Sequence, residues 1–130
     1  MKYIIFLYLF FGNYLLATSQ PQYIITSMHP QTSTIKVITQ DHLTIFDVTS
    51  AFGIGKASIN SFSGVWSKQI CIRLHLKKLE GFSVSTQNIK LQKEDLEIKV
   101  YETYYEVILP SVLFEDAGTT INVEWIDFYR

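Results

Sequence analysis

The residues able to do chemistry in this chain are sparse and scattered. Histidines stand at positions 29, 42 and 75, and Cys71 is the sole cysteine. No two histidines are spaced i,i+2 or i,i+4, so no local metal pair exists. One cysteine cannot close an intrachain disulfide or build a thiolate cluster, although Cys71 could join two chains. Neither a metal nor a cofactor is expected. His75 shares a strand face with Arg73 and Lys77. Catalysis there would require a carboxylate and a nucleophile from elsewhere in the fold, and no serine lies in a nucleophile-elbow motif. A small hydrolase using His75 with a carboxylate is therefore an alternative reading, and the expectation is a non-enzyme.

Gly53-Ile54-Gly55-Lys56-Ala57-Ser58 invites a phosphate-loop reading and fails it. Ser50 stands where the first glycine belongs, Ala57 replaces the magnesium-binding hydroxyl, and no long helix follows. The glycines instead predict a strand start with a bulge or a close backbone approach at Gly53 or Gly55.

Aromatic residues carry the strongest binding signal. Tyr101, Tyr104 and Tyr105 cluster around Glu102 and Thr103, and Trp66 follows a glycine-containing turn. Tyr101 and Tyr104 have charged neighbours in register, which predicts an exposed pair. Trp125 shares a face with Ile121 and Val123, which predicts a core position. Exposed rings on a β-domain stack on sugar rings, and the tyrosine hydroxyls add polar handles. Tyr101, Tyr104 and Trp66 are thus the candidate ligand-binding residues, with a polysaccharide or an envelope protein as the partner class.

The elements that must position these residues read as strands. Ile70, Ile72, Leu74 and Leu76 alternate with Cys71, Arg73, His75 and Lys77, the period of a half-buried strand. The same alternation recurs over 34–39, 43–48, 53–60, 81–85, 96–101, 105–109 and 121–126, with turn-like clusters between. Only 111–116, after Pro110, looks helical, for one or two turns. The expected fold is all-β: a single antiparallel β-sandwich, jelly-roll-like or Ig-like, of about 7–9 short strands. No crossover helices are available for a parallel sheet.

The first 19 residues read as an address. Lys2 is followed by an apolar run over 3–16, then by small residues at 17 and 19, with Pro21 beyond. That is the pattern of a signal peptide, so 1–19 is expected to be removed on export and 20–130 to form the β-sandwich domain. The location is then periplasmic or extracellular, with no membrane span after cleavage. An uncleaved anchor is the competing reading, although a spanning helix needs roughly 20 apolar residues.

The full chain of 130 residues is 48% hydrophobic with a net charge of −1. Without Lys2 there are 10 basic and 12 acidic groups, net −2. Nucleic acid is thereby excluded as a main partner, because phosphate binding needs a clustered basic surface.

Two stretches together resemble a family of small exported bacterial proteins of unassigned function. They are the Gly53–Ile59 run with Trp66, Ile72-Arg73-Leu74-His75-Leu76 and Leu79-Glu80, and the ending Trp125-Ile126-Asp127-Phe128-Tyr129-Arg130. Ser67 and Lys78 stand where that family commonly has proline and glycine. The resemblance implies an exported bacterial β-domain and transfers no catalytic residue. In the ending, Asp127 sits between Ile126 and Phe128, and a buried carboxylate would need a partner. Arg73 or Arg130 is the expected one, fixing a terminal strand carrying Trp125 against the 70–76 strand.

Overall fold

A computed structural model of the chain describes residues 21–49, 54–116 and 118–127, with the backbone alone at Asp127. The proposed signal segment, 1–19, lies outside the described residues.

Ten strands are present among the described residues. They are β1 (Tyr23–His29), β2 (Thr34–Gln40), β3 (Leu43–Thr49), β4 (Ile54–Ser61), β5 (Gln69–His75), β6 (Leu79–Ser85), β7 (Lys90–Gln92), β8 (Glu97–Val100), β9 (Tyr105–Leu109) and β10 (Thr120–Asp127). Eight of them match the eight alternating runs in the sequence; the other two are β1 and the three-residue β7, neither of which has a strong alternating signature. Short 3-10 turns cover Lys93–Asp95 and Ser111–Phe114, the second where a brief helix was expected.

The strands form two five-stranded sheets. The first has the order β2-β3-β5-β9-β8 and the second β1-β4-β10-β6-β7. The fold is therefore all-β and sandwich-like. Buried side chains of both sheets belong to one core: Phe46, Ile72, Leu74 and Val107 from the first, Ile59, Val84, Ile121, Val123 and Trp125 from the second. The alternation in sequence becomes the two faces of each strand, apolar inward and polar outward. Burying each large aliphatic side chain contributes about 1.5–3 kcal/mol.

The sheets are not uniformly antiparallel. β3 and β5 run parallel, with Asp47 opposite Arg73 and Thr49 opposite His75. A parallel pair needs a crossover connection, and here β4, lying in the other sheet, supplies it. Two changes of sheet return the chain in its original direction without a helix. The hairpin from β2 to β3 turns through Asp41, whose φ of 56° is left-handed, a conformation aspartate tolerates better than most residues.

β10 is a central strand, between β4 and β6. The expected placement of the terminal strand against the 70–76 strand is therefore corrected. β10 pairs with no strand of the first sheet, and Arg73 pairs with Glu106 of β9 instead. The Asp127 side chain and Arg130 lie outside what is described. β10 is held by two ladders and by Trp125, which is fully buried.

Candidate functional site

The outward face of the first sheet gathers most of the candidate residues. Directly opposed residues of neighbouring strands point to the same side, so the register places Lys36, Asp47, Arg73, Glu106 and Lys99 in one row across all five strands. Charge alternates in sign at every step of that row. Two contacts within or beside it are close. Arg73 Nη2 donates to Glu106 Oε2 at 3.4 Å, and His75 Nε2 meets Asp47 Oδ1 at 2.6 Å. Both pairs are partly open to solvent.

Beside this row lies an aromatic shelf. The connection from β8 to β9 is a tight turn in which the Tyr101 amide donates to the Tyr104 carbonyl at 2.9 Å. That turn brings the two rings into a stack, with centroids 4.7 Å apart and planes 27° apart. The Arg73 guanidinium sits over the Tyr104 ring at 4.8 Å from its centroid, a cation–π geometry that holds the ring in place. The His75 ring is also near, 5.6 Å from Tyr104 between centroids and tilted by 50°. Tyr101 is 43% exposed, so one aromatic surface stays available to a ligand.

The adjacent row on the same face places Ile38, Ile45, Cys71 and Ile108 in register and ends on Glu97 of β8. Cys71 is half-buried there. Burial pushes its thiol above the ordinary value, and the neighbouring Glu106 carboxylate pushes it further in the same direction. A raised thiol is a poor nucleophile near neutral pH.

Of the residues expected from sequence, Tyr101, Tyr104, Arg73 and His75 come together on this face. Trp66 does not join them. Its ring packs against Tyr23 at 5.1 Å and Phe114 at 6.2 Å, and its indole nitrogen is buried. The loop bearing it is anchored by polar contacts. The Ser67 amide donates to the Tyr23 hydroxyl at 2.8 Å, and Ser67 Oγ lies 2.6 Å from Thr44 Oγ1. A proline at position 67 could not donate the first of these bonds, which gives the serine a structural reason to stand there. Trp125 occupies the core as its alternation predicted.

Sequence reasoning missed Asp47 and Glu106. Their alternation marks both as outward-facing, but only the strand order brings them to His75 and Arg73.

Other concave features lie among the described residues. A cavity of about 360 Å³ at one end of the sheets is lined by Thr86, Asn88, Ile89, Leu113, Asp116 and Thr119, among others. A shallow groove on the second sheet is lined by Ser27, Ser58, Ser85, Lys90 and Asn122. Among the described residues no group of three His, Cys, Asp or Glu side chains is arranged to hold a metal ion.

The shelf and the charged row combine a flat apolar surface, a guanidinium donor and two carboxylate acceptors. Such a set recognises a ligand having both C–H faces and hydroxyl groups. Comparison with known proteins gives no match: no family model, no curated sequence and no solved structure aligns with the chain.

Proposed function

We propose that this protein is an exported, non-catalytic binding module of the cell envelope that takes a carbohydrate chain on the outward face of its first sheet. The observation that carries the reading is the Tyr101–Tyr104 stack, with Tyr101 exposed and Tyr104 half-buried, flanked by Arg73 and by the His75–Asp47 pair. A sugar ring lies flat on the tyrosine face. Its hydroxyls donate to Asp47 and Glu106 and accept from Arg73. Export rests on the signal-like pattern of residues 1–19.

The test is a glycan array followed by titration calorimetry on the best binder. Tyr104→Ala should weaken binding about tenfold, the loss of one aromatic contact worth about 1.4 kcal/mol. Trp66→Phe should leave affinity unchanged. An array without signal, or a binder indifferent to Tyr104→Ala, would overturn the reading. Tryptophan fluorescence is a poor readout here, since neither indole adjoins the shelf.

A second reading, the small hydrolase, is favoured by one observation, the 2.6 Å contact between His75 and Asp47. It requires ester or glycoside turnover that His75→Ala abolishes.

A further inference from the structure

A sheet with open edges exposes unpaired backbone donors and acceptors, and proteins guard such edges with bulges, short strands and charges. Four edges exist among the described strands. β1 carries a register shift between Ile25 and Ser27. β7 is three residues long and runs directly into a 3-10 turn. β8 is four residues long and alternates Glu97 and Lys99 with apolar residues. β2 has neither a bulge nor a short span, and Lys36 is its one charge. It is seven residues long and pairs with β3 at every residue without irregularity. Its sequence, Thr-Ile-Lys-Val-Ile-Thr-Gln, holds a single charge and is rich in β-branched residues. Val37 lies opposite the core residue Phe46 and so faces inward, yet it is 39% exposed because nothing described covers the outer side of β2.

We propose that the free edge of β2 pairs antiparallel with β2 of a second copy of this chain, about a two-fold axis at Val37. The strand is self-complementary in that register. All seven residues take part: Val37 meets Val37, Ile35 meets Thr39, Thr34 meets Gln40, and Lys36 meets Ile38. No like charges oppose each other, whereas a two-fold axis at Lys36 would set lysine against lysine. The inward-facing Ile35, Val37 and Thr39 gain the cover that the isolated edge lacks. A two-fold axis normal to the sheet makes the contact isologous and self-limiting, giving a closed dimer and no fibre.

The consequence for the outward face follows from strand order. β8, with the tyrosine turn after it, is at the opposite edge of the sheet from β2. Joining two sheets at β2 makes ten strands, with the two tyrosine shelves on the same side and at the two far ends. At roughly 4.8 Å per strand their separation is about 40 Å. The dimer itself is independent of what the shelf binds.

The test is sedimentation equilibrium on protein purified after expression of the full chain, over a thousandfold range of concentration. The average mass should rise toward twice the monomer mass. Val37→Lys sets two lysines face to face at the axis and should weaken association at least tenfold, with circular dichroism confirming an intact fold. Ile38→Glu places a carboxylate opposite Lys36 of the partner subunit twice per dimer. It should tighten association about fivefold, two cross-strand charge pairs being worth about 1 kcal/mol together. A native protein that stays at the monomer mass at every concentration overturns the proposal. So does a dimer that neither substitution changes.

Discussion

Replacing Gly55 with alanine sets two effects of opposite sign against each other. Glycine within a strand has excess freedom in the unfolded chain, so alanine alone would stabilise by about 0.5–1 kcal/mol. Gly55, however, lies directly opposite Trp125 in the β4–β10 ladder. A methyl group there would fall well inside contact distance of Cε2, Cζ2 and Nε1 of the Trp125 indole. Trp125 is 0% exposed and walled in by the rest of the core, so the ring has nowhere to move. Overpacking of this kind costs about 1–3 kcal/mol, and the severity of the overlap puts Gly55→Ala at the upper end. The net loss is about 2 kcal/mol. For a domain of this size that lowers the melting temperature by about 8 °C.

The assay is thermal unfolding of Gly55→Ala, Trp125→Phe and the double variant, which closes a thermodynamic cycle. Trp125→Phe is itself destabilising through the void it leaves. It also makes room for the alanine methyl, so Gly55→Ala should cost at least about 1 kcal/mol less in that background. Gly81→Ala is the control. Its added carbon would sit 3.3 Å from Ile126 Cδ1, the free end of a half-exposed side chain, and should change stability by less than about 0.5 kcal/mol. If Gly55→Ala melts at or above the native temperature, or costs the same in both backgrounds, the close approach is not what requires glycine at this position.

Three further outcomes follow from the structure. Truncation after Glu124 removes Trp125 and the end of a central strand, a loss of about 3–5 kcal/mol from the indole alone; the truncated chain should show no cooperative melting transition, and an unchanged melting temperature would refute this. Cys71 is held protonated by burial and by Glu106, so its alkylation by iodoacetamide at pH 8 should be slower than that of a free thiol, and Glu106→Gln should speed it. Because the folded thiol titrates above its unfolded value of 9.0, this group's stabilising contribution is complete below that pH. It fades as pH rises through the higher folded value, and a Cys71→Ser variant should lose less stability than the native protein between pH 9 and 11.

Local pattern carried most of the strand assignment. Alternation is a property of neighbouring residues, so Ile70–Leu76, Leu43–Val48 and Ile121–Ile126 announced both their type and their inward faces. β1 and β7 carry no such signature because one is bulged and the other is three residues long, which breaks or truncates the period. The charge row was half legible. Asp47, Arg73 and Glu106 each stand at an outward position of their own strand. Nothing local tells a strand which neighbour it will have, and the parallel pairing of β3 with β5 arises from two changes of sheet. Setting the terminal strand beside β5 failed for the same reason, since the two strands belong to different sheets.

By itself, then, the sequence determined an all-β chain, an apolar leading segment, a buried Trp125 and an exposed Tyr101, while its expected partner Tyr104 is half-buried. Each follows from composition or from the two-residue period of a strand. Only the tertiary structure decided that Trp66 faces the core, that His75 meets Asp47, that Gly55 makes room for an indole, and that β2 is left as the open edge. Those depend on contacts between residues far apart in the chain, set by how two sheets pack their inner faces together.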